Sequence, residues 1–344
     1  MKTALIGLGR IGWGFHLPEL TKRGGFSPVI VVDTSVDRLA EAKQTYGVDG
    51  YTDYQEMLQK EKPELVVIAS PTHLHKQHAI EAFHAGANVF LDKPMAVNIE
   101  EAREIADCAA ACGRKLMIYQ PHRVTAEAVV AKRVLESGLL GRVYMIKRAN
   151  SGYNRRSDWQ AFTKYGGGML NNYGAHYIDQ MLYLTGAQIA DITCHRQRAV
   201  SLGDADDVVK VLMKTDENMT IDIDINQAAA FPITPWQIFG TLGAAIVEQT
   251  PEGGLQFTVK YLVPEELPPL EVSDALIAKG RKYSQDPPLP WHTQAFPIRS
   301  EDARSFYDAC YAYYAEDKEP LVPVADTLRV MEIIDRCHQL TPDA

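Results

Sequence analysis

The chain has 344 residues, 46% hydrophobic and 23% charged, a globular balance with enough length for two domains at roughly 100 to 200 residues each. Its formal net charge of −9 argues against a nucleic-acid partner or an anionic membrane surface. Five cysteines without a CxxC spacing argue against a disulfide framework or a zinc site, and Cys108 and Cys112, one helical turn apart in an Ala-rich stretch, read as packing residues.

Met1-Lys2-Thr3 runs directly into an apolar strand without a signal-peptide pattern, and no apolar run approaches the roughly 18 residues of a membrane span, so a cytoplasmic protein is expected. The first elements read as a strand from Thr3, the run Gly7-Leu8-Gly9-Arg10-Ile11-Gly12, a helix to about Arg23, and a strand from Pro28 to Asp33. In a dinucleotide-binding turn the first glycine makes the tight bend, the second lets a pyrophosphate approach the backbone, and the third lets helix and strand pack closely. The anion then sits over the helix N-terminus, which Arg10 and Ile11 help to open. Asp33 follows 21 residues after Gly12, at the end of the second strand. Its carboxylate is placed to accept both hydroxyls of an adenosine ribose and would repel a 2′-phosphate, so NAD is expected over NADP. Arg38, one helical turn on, is the nearby cation that counts the other way. Asp33 acting only as a cap for the helix near Asp37 is the plainer reading.

The alternation continues through a helix at 53–60, a buried strand at 64–69, a helix at 74–85, a strand at 88–91, a helix at 98–112 and a strand at 115–119. Such alternation implies a doubly wound parallel sheet of the Rossmann type, assigned here to residues 1–122. Ser70, Pro71, Thr72 and His75 follow its third long strand, within reach of a cofactor lying across the carboxyl edge. His73, His75 and His78 have no carboxylate or cysteine at ligand spacing, so no metal site is expected. The strand at 88–91 runs into Asp92-Lys93-Pro94. A lysine at that edge can meet both cofactor and substrate, and the following proline restrains it.

After about residue 122 the pattern changes to a helix at 125–137, a strand at 142–149 and longer runs at 189–194, 208–213, 219–226 and 236–240. This reads as an α+β domain over 123–344 with an open, mostly antiparallel sheet, whose Asp222 and Asp224 face water or a partner. An open sheet face of this kind commonly becomes a subunit interface, so a homo-oligomer, dimer or tetramer, is expected. Within this domain Gly166-Gly167-Gly168 opens a helix that places Asn172, His176 and Asp179 at i, i+4 and i+7, on one face. Upstream, Tyr153, Arg156, Asp158 and Trp159 offer the guanidinium, carboxylate and aromatic groups that hydrogen-bond and stack a polyhydroxylated ligand. Arg123 and Tyr173 join them as expected substrate contacts. The span 241–300 carries no clear signal, and 264–269 and 286–291 read as extended connectors. A helix over 301–315 bears an aromatic stripe of core character, and one over 324–340 packs back on the structure.

Gly7-x-Gly9-x-x-Gly12, Asp92-Lys93-Pro94 and Gly166-Gly167-Gly168 followed by Asn172-x-x-x-His176 together resemble the glucose-fructose oxidoreductase and inositol dehydrogenase family (Gfo/Idh/MocA) of NAD(P)-dependent sugar and polyol oxidoreductases. The resemblance runs from residue 2 to near 340. It implies that Lys93 lies near the nicotinamide, that the Lys93-Pro94 bond is cis, and that His176 is the general acid/base. Two positions depart from the family pattern: Asp92 stands where glutamate is usual, and Asn172 where aspartate is common. Asn172 cannot share a proton with His176. Hydride transfer to or from a secondary alcohol needs a proton acceptor and a cation for the developing alkoxide. His176 is expected to exchange the proton while Lys93 hydrogen-bonds the oxygen, with the converse assignment the near alternative. The rival readings are a redox-neutral sugar lyase or hydrolase with tightly bound NAD, and a non-catalytic nucleotide-binding regulator.

Overall fold

The computed structural model describes residues 1–269 and 288–342. The first half alternates β1 (Thr3–Ile6), a π-helical turn at Gly12–His16 running into α1 (Leu17–Lys22), β2 (Val29–Val32), α2 (Val36–Tyr46), β3 (Asp49–Tyr51), α3 (Tyr54–Glu61), β4 (Leu65–Ile68), α4 (His75–His84), β5 (Asn88–Asp92), α5 (Ile99–Ala111) and β6 (Leu116–Tyr119). The strands are short apolar runs because a parallel sheet is covered on both faces. Side chains cap the helices where the sequence offers them: Asp53 accepts from the Gln55 N–H, and Asn98 from the Glu101 N–H at 2.8 Å. All neighbours are parallel in the order β3-β2-β1-β4-β5-β6. The order reverses at β1 and β4, whose carboxyl ends therefore open a crevice. β3 was not expected, since Asp49 and Gly50 are poor strand formers.

The second half comprises α6 (Ala126–Glu136), β7 (Val143–Ser151), a second π-helical turn at Leu170–Gly174 entering α7 (Ala175–Thr185), β8 (Ile189–Gln197), β9 (Val208–Thr215), β10 (Thr220–Asn226), β11 (Trp236–Gly240), β12 (Gly243–Gln249), β13 (Leu255–Tyr261), β14 (His292–Ile298), α8 (Phe306–Ala315) and α9 (Val324–Leu340). Eight strands form one sheet in the order β14-β13-β12-β11-β7-β10-β9-β8, antiparallel except for the parallel pair β7 and β10. Ile221, Ile223, Ile225 and Trp236 are buried on the face that α6 and α7 help to cover.

Three of these strands lie in the span that carried no signal. β12 is rich in Gly and Ala, and β14 holds Pro297, which its place at the sheet edge tolerates. Of the expected connectors, 264–266 form a 3₁₀ turn, while 286 and 287 lie outside the described residues. Asp222 and Asp224 do not present a bare acidic face. Asp222 is buried between Lys147 and Lys210 of neighbouring strands, and Lys210 also pairs with Asp224.

The last two helices return to the first sheet. Phe306 stacks on Phe90 at 5.8 Å, the Tyr307 hydroxyl lies 2.6 Å from His16 Nδ1, and Tyr314 donates to the Val89 carbonyl. α9 packs against α5, α7 and β8. Among the described residues no helix is long and apolar enough to cross a membrane.

Arg123, expected to bind substrate, instead belongs to this scaffold. It is 3% exposed, donates to both carboxylate oxygens of Asp179 at 2.6 and 2.8 Å, and donates to the Leu321 carbonyl at 3.0 Å. Asp179, fully buried on α7, is thereby committed to structure as well. Breaking a buried pair leaves one charge desolvated and alone, so Arg123→Met is expected to cost about 3–5 kcal/mol in urea denaturation. A loss below about 1 kcal/mol, the range of exposed pairs, would show that Arg123 is not structural.

Candidate active site

The glycine turn after β1 fits a dinucleotide. A Cβ on Gly12 would lie 1.8 Å from the Gly7 carbonyl oxygen, so any side chain there would push the helix off the strand. A Cβ on Gly9 would meet nothing within 4 Å, which leaves backbone open to a bulky anion at the helix start. Asp33 lies at the far end of β2 and is 8% exposed. Its Oδ2 accepts the Leu8 N–H at 2.8 Å and lies 3.3 Å from Arg38 Nη1, while Oδ1 accepts the Ser35 N–H at 2.9 Å. The cap of α2 is Ser35 rather than Asp33. Asp33 therefore ties the glycine turn to β2 and holds its carboxylate beside the crevice.

Lys93 stands one residue past β5, half-buried, with a cis bond to Pro94. Its ammonium donates to Asn172 twice, to Oδ1 at 2.6 Å and to the backbone carbonyl at 3.0 Å. Asn172 lies in the second π-helical turn, where pairing shifts to the i+5 register. Asp92 does not take the ammonium; its Oδ1 accepts the backbone N–H of Lys93 at 2.8 Å. Burial pushes Lys93 down to about 8, with Asp92 opposing and Arg156 adding to the shift. Burial also pushes Asp92 up to about 6, against the pull of Lys93.

His176 follows Asn172 by one turn and is 8% exposed. Its Nδ1 is buried with no hydrogen-bond partner among the described residues. Burial, then Lys93 and His122, hold its pKa well below the ordinary imidazole value. The rings of His176 and His122 stack at 4.1 Å and 19°. His122 was not singled out in the sequence, although it follows β6 by three residues and so stands near the carboxyl edge. Of these two neighbours, Arg123 pairs with Asp179 while His122 stacks on His176. Gln180 fixes His122 by donating to its carbonyl at 2.8 Å, and burial pushes the ring down to about 4.

His75, expected to touch cofactor, is 1% exposed and acts as a strap. Its Nε2 lies 2.9 Å from the Ser70 carbonyl oxygen and its Nδ1 3.0 Å from that of Pro94, so it sits between the turns after β4 and β5 and, when neutral, donates to one of the two. Burial holds it down to about 4. Ser70 and Pro71 are half-buried, and Ser70 Oγ contacts His78 Nδ1 at 3.0 Å. Thr72 is buried where its turn meets the one at Thr163–Tyr165, and the His73 ring lies 4.9 Å from that of Tyr165.

The remaining candidates lie on the loops after β7. Asp158 bonds Arg10 of the glycine turn at 2.5 Å and lies 3.8 Å from Arg156 Nη1. Arg156 keeps Nε and Nη1 buried without a hydrogen-bond acceptor among the described residues. Trp159 and Tyr173 are half-buried, whereas Tyr153 is 63% exposed, too open to hold a ligand by itself. The glycine triplet is held by a residue that drew no notice in the sequence. Asp206 accepts the Leu170 N–H at 2.9 Å, contacts Arg196 at 3.1 Å, and would collide at 2.6 Å with a Cβ on Gly168, whose φ is +100°. Asp206 thus caps the turn that carries Asn172.

Residues 1–120 match the oxidoreductase family, NAD-binding Rossmann fold, and residues 129–246 match the Gfo/Idh/MocA C-terminal domain. The chain is 29% identical over 190 residues to D-glucoside 3-dehydrogenase of Escherichia coli, covering 54% of each protein. It is 27% identical over 199 residues to scyllo-inositol 2-dehydrogenase (NAD(+)) of Bacillus subtilis, covering 57% of each. It thus spans about half the length of these curated relatives. The crystal structure of an NAD-binding protein from Listeria innocua shares the fold, with a TM-score of 0.83 over 99% of this chain and 94% of that one at 22% identity. Matched in both its nucleotide-binding sheet and its second sheet, the chain belongs to the Gfo/Idh/MocA family of oxidoreductases.

Proposed function

We propose that the protein is an NAD-dependent oxidoreductase that interconverts a secondary alcohol and a ketone on a sugar, sugar derivative or cyclitol. The observation that carries this reading is the half-buried Lys93 ammonium, held by Asn172 at the carboxyl edge of the sheet whose other crevice wall bears the glycine turn and Asp33. The nicotinamide, when bound, supplies the two-electron redox chemistry. The protein must move one proton and stabilise charge on the reacting oxygen.

A proton shuttle works best with a pKa near the working pH. Lys93 is held near 8 and His176 well below the imidazole range. We therefore give the proton exchange to Lys93 and make neutral His176 its hydrogen-bonding partner on the same oxygen, the converse of the division first expected from sequence. Arg156, Asp158, Trp159 and Tyr173 form the substrate side, and the donors of Arg156 suit hydroxyl or carboxylate oxygens. The wild-type protein with NAD is expected to change nicotinamide absorbance with at least one member of a sugar and cyclitol panel. Lys93→Met and His176→Ala should each retain NADH binding and lose roughly 10²–10⁴-fold in kcat. Product formed without net absorbance change would favour a redox-neutral lyase or hydrolase, and cofactor binding without any product a regulator.

The pH dependence follows from the same assignment. Oxidation needs neutral Lys93, so its rate should rise as pH passes upward through the lysine pKa, about 8 without ligand, while reduction falls. Asn172→Asp places a carboxylate where Oδ1 now lies 2.6 Å from Nζ, favouring the ammonium. The oxidation limb should move roughly 1–3 units to higher pH. An unmoved limb would return proton exchange to His176.

Asp33 is proposed to select NAD, with Arg38 held off by the ion pair between them. Asp33→Ala should weaken NAD by about 1.5–3 kcal/mol and strengthen NADP as Arg38 becomes available to a phosphate. Equal loss for both cofactors in calorimetry would mean that Asp33 acts only through its bond to Leu8.

A further inference from the structure

α4 begins at the cofactor edge with His75 and ends with His84, nine residues later and so roughly 14 Å away along the helix. There it packs beside the end of α5, where Cys108 and Cys112 stand one turn apart. One ligand atom from each of His84, Cys108 and Cys112 lies within 4.8 Å of the others, the one such group of His, Cys, Asp or Glu side chains among the described residues. His84 is exposed and both thiols are half-buried.

We infer that His84, Cys108 and Cys112 form a binding site for a thiophilic divalent cation, Zn²⁺, separate from the cofactor crevice. The donor set is one imidazole and two thiols with no carboxylate, which suits zinc rather than magnesium or calcium. The dimensions agree. With Zn–S near 2.3 Å and Zn–N near 2.05 Å, a tetrahedral S···N edge is roughly 3.6 Å; Cys108 Sγ lies 3.7 Å from His84 Nε2. The tetrahedral S···S edge is roughly 3.8 Å, so a small side-chain rotation brings all three to one ion. A disulfide is the less suitable product, because helical i, i+4 Cβ atoms stand roughly 5–6 Å apart whereas a disulfide needs about 3.8 Å.

On binding, the two thiols give up their protons to solvent and the two thiolates cancel the dication, leaving the imidazole neutral. The fourth position is open to water on the exposed side of His84, as in other three-ligand zinc sites. The ion would clamp the end of α4 to α5, complementing the Lys76 pairs with Glu101 and Glu104 that join the same helices nearer the crevice.

The test uses the full chain, stripped with chelator and titrated with Zn²⁺ and with Co²⁺, whose thiolate charge-transfer band reports sulfur ligation. One equivalent per chain and a thiolate–cobalt band are expected. Cys108→Ser, Cys112→Ser and the exposed-site variant His84→Ala should each weaken zinc by more than the about 10–100-fold that loss of a supporting residue costs, while Cys194→Ser should bind as wild type. Melting temperature and NADH binding, measured alongside, show that each variant is folded and keep this result distinct from any failure of the cofactor reading. Absence of the cobalt band in wild type, or unchanged zinc affinity in Cys108→Ser and Cys112→Ser, would overturn the site.

Discussion

An ammonium taken partly out of water must find oxygen atoms to replace its hydration, and the whole site is arranged around that need at Lys93. Both oxygens it finds belong to Asn172, and both are neutral. They satisfy two of its three donors without cancelling its charge, so desolvation prevails and the pKa falls to about 8. The neighbouring carboxylate of Asp92 is turned onto a backbone N–H, where its pull on the lysine is too small to reverse the shift. An aspartate in place of Asn172 would give a firmer anchor and a lysine locked in its charged form.

Holding one lysine against one asparagine across two domains takes a rigid frame on each side. On the nucleotide-binding side, buried His75 packs between the turns after β4 and β5, with a carbonyl of each within hydrogen-bonding distance of its ring. On the other, Asp206 and Arg196 fix the start of the turn that bears Asn172, and Asn171 donates to the carbonyls of Gly166 and Gly167. The two halves are further joined by α8 and α9, whose aromatic and apolar faces return to the first sheet. Arg123 and Asp179 pin the start of the second half to α7 from beneath. None of these groups need touch a ligand, yet each constrains the distance from Lys93 to Asn172 or His176.

α4 links the two regions to which chemistry is assigned. Its first residue sets the crevice turns, and its last is a ligand of the inferred zinc site. The sequence suggested neither role. His75 lay in a cluster of three histidines whose spacing matched no metal pattern, and Cys108 and Cys112 looked like packing residues because their third partner, His84, is on another helix.

Elements whose signals lie within a few neighbouring residues were legible: the order of strands and helices through 119 apart from β3, the glycine turn, helices starting near Asp53, Asn98 and Thr125, and a lysine delivered at a strand end. Such features follow from steric limits and hydrogen bonds that act over one turn or one strand, so residue order alone determines them. Strands such as β12 and β14 escaped because Gly, Ala and Pro carry weak local preference, and only pairing, of β12 with β11 and β13 and of β14 with β13, makes them strands. The contacts between distant residues belonged to tertiary structure alone. Lys93 meets an acceptor 79 residues away, His122 rather than its neighbour Arg123 stacks with His176, and Asp179 leaves the polar stripe of its helix for an ion pair. Each outcome depends on which buried charge finds which partner, a competition in desolvation and geometry that takes place only once the two sheets have packed.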